Sequence, residues 1–382
     1  MATATGGHGQ PAHSGKVLSW LSKVFELKPA GINWPRGVLF LDVALVPLVV
    51  FWAIGYEQYL LSALFGALFA VLADPGGGYG YRVFRMAAFG LIGAGLTALA
   101  FGIGGDAWGW LVLAAFAVTL VTGLAVTFGV HRFIAALLLN VWFIIALGLA
   151  SSLHQHAHIT SYTWAQVSAW AGGSALWIAA TFIAWLIGGR KDRPQPVAEL
   201  PGDTSRQALT RPLITFAVIR ALAIAGAAAI AFGAGLSHGY WIPIATIVAM
   251  KPSLQQATLV GVQRIAGTLI GAAAALLLLL IPASETGLRL LAITHGLGVV
   301  ALVLFMHAVA VRLWNYAVYC AAIAAAALIL VDLPQPSSYG AEGDRVLWTL
   351  CGAGIAVLVM LLAGVLAKRR AKPQPQPARQ RS

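Results

Sequence analysis

Apolar runs of about 20 residues, separated by short polar stops, fill the chain from residue 36 to residue 370 without period-2 alternation. A run of that length covers ~30 Å of hydrocarbon as a helix. Backbone in lipid must satisfy its own hydrogen bonds, so the pattern predicts transmembrane helices rather than barrel strands. The runs fall at 37–54, 58–73, 84–103, 107–128, 131–152 and 164–188, and again at 213–234, 239–250, 260–281, 289–309, 313–331 and 346–367. The predicted organisation is a polar Gly-rich tail (1–15), an amphipathic segment (16–30), a first six-helix repeat (36–190), a cytoplasmic linker (191–212), a second six-helix repeat (213–370) and a basic Pro-rich tail (371–382). The amphipathic segment suits either the membrane surface or a berth on the bundle.

Composition agrees with a bilayer as solvent. The chain of 382 residues is 60% hydrophobic and 9% charged, with a mean hydropathy of +0.84. A soluble domain cannot hide that much apolar surface. The net charge of +12 is explained by its placement, so no nucleic-acid partner is invoked. With the N-terminus in the cytoplasm, only Arg289 and Arg345 of the 24 Lys and Arg fall in external segments. Both ends are then cytoplasmic and the number of spans is even. The expected fold is an all-α polytopic membrane protein of about 12 helices, arranged as a tandem 6+6 parallel repeat, N-in and C-in. Cys320 and Cys351 lie in apolar segments and read as small hydrophobes.

The polar stops recur. Asp74-Pro75 precedes Arg85 in RMAAFGLIG, and Lys251-Pro252 precedes Arg264 in RIAGTLIG. Arg132 has its counterpart in Arg312, and Gly189-Arg190-Lys191 in Lys368-Arg369-Arg370. Cations at matched places in two like-oriented halves suggest a path for anions between them. The second and eighth runs are short and interrupted by Pro or Gly, which points either to broken helices at a transport site or to tilted spans with tight turns. Arg85 and Arg264 open Gly-rich helices, and close packing would bring both to the junction of the halves as anion contacts; positive-inside anchoring is the plainer use. Arg132 and Arg312 admit the same two readings.

Asp42 lies two turns into the first span, and Arg220 holds the equivalent place in the seventh. They could pair across the axis, or Asp42 could carry a proton; Asp74 is a second candidate for proton coupling. Asn140, Asn315, His295 and His307 need polar partners, lining a path or pinning helices together. Trp241, beside Tyr240, fits an aromatic belt or a stacking contact with an aromatic solute. His154, His156 and His158 alternate as metal ligands can, but without carboxylate or cysteine partners they read as a solvated loop, and no metal is expected. The chain has no P-loop, HExxH or GxSxG motif, so neither an enzyme nor a cofactor is expected.

The stretch HGYWIPIATIVAMKPSLQQATLVGVQRIAGTLIG, through Tyr240, Trp241, Pro252, Arg264, Gly267, Thr268 and Gly271, resembles the FUSC superfamily of fusaric-acid-resistance and aromatic-acid-exporter membrane proteins. The first half matches through Pro75, Arg85 and Gly93 alone, with Asp74 where the second half has Lys251. The resemblance implies efflux of organic, often aromatic, carboxylates across a bacterial inner membrane, in some members with a periplasmic adaptor. Many relatives carry a large soluble domain where this chain has a short linker. The expected function is export of organic anions, with Arg85, Arg264, Lys251, Arg220, Arg132, Arg312, Asn315 and Trp241 along the pathway. The alternatives are a proton-coupled exporter of lipophilic drugs and a non-transporting scaffold that binds lipid or an envelope partner. Gly/Ala-rich faces could also pack against a second copy.

Overall fold

A computed structural model describes residue 27 and residues 31–155, 161–191, 208–250, 254–279, 287–332 and 339–370. The expected amphipathic segment (apart from Leu27), most of the linker, Lys251, His156, His158 and the 371–382 tail lie outside the described residues.

The described residues form an all-α structure of twelve helices. The first six are α1 (Trp34–Ile54), α2 (Leu60–Ala73), α3 (Tyr79–Ile103), α4 (Trp108–Leu124), α5 (Val130–Gln155) and α6 (Thr163–Ile187). The next six are α7 (Arg211–Gly233), α8 (Trp241–Ala249), α9 (Leu254–Leu279), α10 (Gly287–Val311), α11 (Tyr316–Asp332) and α12 (Tyr339–Arg370). Among them are nine helices long and apolar enough to cross a bilayer, whereas α2 and α11 are shorter apolar helices and α8 has nine residues. The chain is a multi-pass membrane protein.

Local chemistry sets the boundaries. Asn33 caps α1 by accepting from the Arg36 N–H at 3.1 Å, Pro35 occupies the first turn, and Gly55 ends the helix at φ 71°. Gly76 and Gly77, at φ 68° and 83°, close the turn after α2 within a few residues, so α3 starts at Tyr79 rather than at 84. Helix α9 likewise starts at Leu254 rather than at 260. Hydropathy marks where a helix enters the apolar layer, not where its backbone ladder begins.

Helices α2 and α8 differ from the rest. Eleven residues in succession, Ser62 to Leu72, are buried in α2, as are Ile242 through Ala249 in α8. The longer helices expose an apolar stripe instead, for example Val38, Val46 and Val49 on α1. A helix that is apolar all round belongs inside a bundle, so α2 and α8 are each wrapped by neighbours.

The neighbours correspond between the two sets of six. The pairings α1·α2, α1·α6, α2·α6, α3·α5, α3·α6 and α4·α5 recur as α7·α8, α7·α12, α8·α12, α9·α11, α9·α12 and α10·α11. The two most extensive seams between the sets are α4·α7 and α1·α10, which the same shift of six exchanges; α5 also touches α8, and α2 touches α10. One emphasis differs: α3 packs more extensively on α6, whereas α9 packs chiefly on α11.

Small residues permit these approaches. A Cβ at Gly173 would collide with the Ala63 carbonyl of α2, and one at Gly271 with the Ala321 carbonyl of α11. Gly172, one residue from Gly173, meets nothing within 4 Å. Gly173→Val should therefore destabilise the protein by about 1–3 kcal/mol or more, while Gly172→Val should be close to neutral. Thermal unfolding in detergent checks the contrast, and equal effects would refute this account of the α2–α6 contact.

Candidate functional site

A helix that stops inside a bundle leaves its last carbonyls without N–H partners, and its negative dipole end favours cations. Arginines meet this need at both short helices. At the end of α2, Arg36 of α1 donates to the Val71 carbonyl and lies 3.4 Å from the Asp74 carbonyl. Arg312, after α10, donates to the Leu72 carbonyl at 2.7 Å. At the end of α8, Arg220 of α7 donates to the Ile247 carbonyl at 3.3 Å. Each short helix is thus capped from the first helix of its own set, and α2 receives a second cap from the other set.

Asp74, just past α2, completes this knot. Arg82 donates to both carboxylate oxygens, at 2.9 Å and 2.5 Å, and the Gly76 N–H donates at 3.1 Å. Both side chains are buried, with 3% of Asp74 and 7% of Arg82 exposed. Burial pushes the Asp74 carboxyl up, but the Arg82 hydrogen bonds, the Arg36 and Arg82 charges and the Gly76 N–H together hold it below its ordinary value.

Above these caps lies a cavity of about 190 Å³ between the two sets. Its first-set wall is entirely apolar, built from α2 residues such as Phe65 and Phe69 and α5 residues such as Leu138 and Val141. Its polar groups all come from the second set: Arg264, Thr268, Arg312, Tyr316, Tyr319, Thr349, Tyr240, Trp241 and Cys320. Arg264 is hydrogen-bonded to the Tyr316 hydroxyl, and the Tyr316 and Tyr319 rings lie 5.7 Å apart. The Trp241 indole N–H is buried without a hydrogen-bond partner among the described residues. This surface can hold an anionic head on one side and an apolar body on the other.

The remaining sequence candidates separate. The expected meeting of Arg85 and Arg264 does not occur. Arg85 donates to the Tyr81 hydroxyl at 2.8 Å on an exposed part of α3 and does not line the cavity. Arg132 is exposed, with its guanidinium 5.7 Å from the Phe128 ring, so Arg312 acts without it. The Asp42–Arg220 pair is also absent: Asp42 is exposed on α1, while Arg220 is 0% exposed on α7. Asn315 is not within a span; it accepts from the Ala317 and Val318 N–H groups at 2.8 and 3.1 Å, as a helix cap does. Asn140 pairs with Thr119 at 3.2 Å, pinning α5 to α4. His307 packs edge-on against Trp34, and His295 against Trp52, both on the α1·α10 seam. His154 bonds the Ala150 carbonyl one turn back. No group of three or more metal-binding side chains occurs among the described residues.

Sequence reading missed Arg36 as a cap, the Arg82–Asp74 pair, and Tyr316 and Tyr319. The first two were visible as charged residues flanking a short apolar run. The tyrosines carried no signal beyond their spacing of three on α11, which puts both on one helix face.

Among the described residues, twelve helices, nine of them candidate spans, and a largely apolar cavity lined by two arginines define a polytopic helical membrane protein with polar groups in its interior. Residues 213–359, from α7 into α12, match the family described as fusaric acid resistance protein-like. No curated protein and no solved structure matches the chain.

The Asp74 geometry gives a pH signature. A carboxyl held below its ordinary value stabilises the fold fully above that value, 3.8, and loses the contribution as pH falls through the folded value. Asp74→Asn should cost about 3–5 kcal/mol at neutral pH, because it leaves buried Arg82 uncompensated. It should also flatten the loss of stability below about pH 4. Thermal unfolding from pH 3 to pH 8 checks both, and an unchanged acid limb would refute the assignment.

Proposed function

We propose that this protein exports organic anions, aromatic carboxylates among them, through the cavity between its two six-helix sets. The observation that carries this reading is the convergence of Arg264 and Arg312 on one otherwise largely apolar cavity. Arginine keeps its charge in such a setting and grips a carboxylate through parallel N–H groups. The Tyr316 hydroxyl and the Trp241 N–H are further groups on the same wall. Phe65, Phe69 and the aliphatic α5 residues offer the body of the solute an apolar surface.

The tandem 6+6 arrangement belongs to this proposal, with its pseudo-twofold axis along the membrane normal. It is supported by the recurring helix pairings and the exchangeable seams. In the N-in orientation the ends of α2 and α8 lie on the cytoplasmic side of the cavity, and the protein sits in a bacterial inner membrane, with or without a periplasmic adaptor. The fusaric acid resistance protein-like domain supports efflux over a scaffold role. A mechanism with Asp42 as proton carrier gains nothing from the geometry, since Asp42 faces away from the cavity. Asp74 is tied to Arg82 and held below its ordinary value, so it stays ionised at neutral pH.

In proteoliposomes, Arg264→Gln and Arg312→Gln should each reduce efflux of an aromatic carboxylate such as benzoate at least ~10-fold, the scale of one lost charge-assisted contact. Arg85→Gln and Arg132→Gln should stay near the wild-type rate. The proposal fails if the cavity variants transport normally, or if no organic anion moves at all.

A further inference from the structure

Arg220 is the least explained charge in the molecule. Its side chain is 0% exposed. Of its guanidinium nitrogens, Nη2 donates to the Ile247 carbonyl at 3.3 Å, while Nε and Nη1 are buried with no hydrogen-bond partner among the described residues. Its central carbon lies 5.4 Å from the Phe133 ring centroid, a weak partner for a full charge. Arg220 is well inside α7, about 14 Å from the helix start at Arg211. The close contact of Gly123 with Ala217, and of Gly233 with Trp108, places it level with Leu120 on α4. It therefore cannot snorkel to either membrane surface. No carboxylate compensates it among the described residues: Asp74 belongs to Arg82, and Asp42, at the equivalent place on α1, is exposed.

An unpaired guanidinium at that depth is costly, and its N–H groups call for an acceptor that carries negative charge. We propose that Arg220 holds a compact monovalent inorganic anion of the halide class, in an occluded site where α4, α5, α7 and α8 meet. Size argues for compactness. Phe133 and Ile247 close over the guanidinium, and the side chain has no solvent-facing surface, so an organic body has no room. The site lies one residue layer behind the cavity, because Ile134 and Val248, the neighbours of Phe133 and Ile247, line the cavity wall. The bound anion neutralises Arg220, which caps the end of α8, so it steadies the wall that the organic solute touches. This assignment stands on the Arg220 geometry alone and does not require the transport reading.

The test uses the purified full chain in detergent, with unfolding followed by tryptophan fluorescence. Chloride replaces gluconate at constant sodium concentration. The wild type should show a saturable rise in Tm of roughly 2–6 °C with chloride, and bromide should act likewise. Arg220→Met, of similar length and without charge, should lose the rise. Its Tm in gluconate combines two opposed changes, the loss of the uncompensated charge and the loss of the α8 cap, so the readout is the chloride response and not the baseline. The double variant Arg264→Gln/Arg312→Gln should keep the rise, which separates this site from the cavity. If Arg220→Met does not fold, Arg220→Lys should retain the chloride response and Arg220→Gln should lose it. An undiminished response in Arg220→Met or Arg220→Gln would overturn the proposal. So would a response that vanishes only in the double variant, or a wild type whose Tm does not distinguish chloride from gluconate.

Discussion

Two helices that end inside the protein impose the constraint on which the structure depends. A full span ends its backbone ladder near the interface, where water completes the hydrogen bonds. Helices α2 and α8 are buried on every side and too short for that, so their terminal carbonyls must find donors within the bundle. Arg36 and Arg312 serve α2, and Arg220 serves α8. Arginine suits the task because it carries five N–H donors and its charge opposes the negative end of the helix dipole. These three arginines are therefore structural before they are anything else, and any role of theirs in transport must be compatible with capping.

That double duty is clearest at Arg312. It holds the Leu72 carbonyl of the first set and also lines the cavity between the sets. An anion in the cavity, as proposed, would compete with a neutral carbonyl for the same guanidinium, and the charge-assisted bond is the stronger. Arg264 is differently placed: its partner is the Tyr316 hydroxyl, on the neighbouring helix of the same set. All of the cavity's polar side chains come from one set while the other supplies an apolar wall, so the two sets, whose helix pairings correspond, differ in their chemistry at the cavity.

The sequence announced the architecture well and the site only in part. Helix number, the two short segments and the polar stops are all readable, because burial in lipid forces long apolar runs and any interruption stands out. Side-chain direction was harder. RMAAFGLIG has one residue more between its Arg and its last Gly than RIAGTLIG has. When Gly93 and Gly271 are brought level, Arg264 aligns with buried Met86, and Arg85 falls one residue away. One residue is 100° on a helix. Arg264 thus shares the packed face of α9 and reaches the cavity, while Arg85 turns outward. The Arg132–Arg312 match breaks for a related reason. Arg132 lies inside α5, whereas Arg312 sits in the turn after α10, from which it can reach back to α2. Aligned letters gave equivalent positions in the chain, but only the helix phase decides what a side chain faces.

The same asymmetry governs how the sets could move against each other. The α1·α10 seam is fastened by directional contacts: the Asn33 N–H donates to the Ala310 carbonyl at 2.8 Å, Arg312 bonds Leu72, and His307 packs against Trp34. The α4·α7 seam is held mainly by close packing, with Gly123 set against Ala217. Packed small residues tolerate sliding, whereas hydrogen bonds in a low-dielectric interior resist it until another partner replaces them. Export through a cavity at this junction would require the fastened seam to loosen when a solute is present. In the proposed export, an anion that drew Arg312 away from the α2 carbonyl would loosen it at the point where solute and seam meet, so binding and opening would act through one side chain.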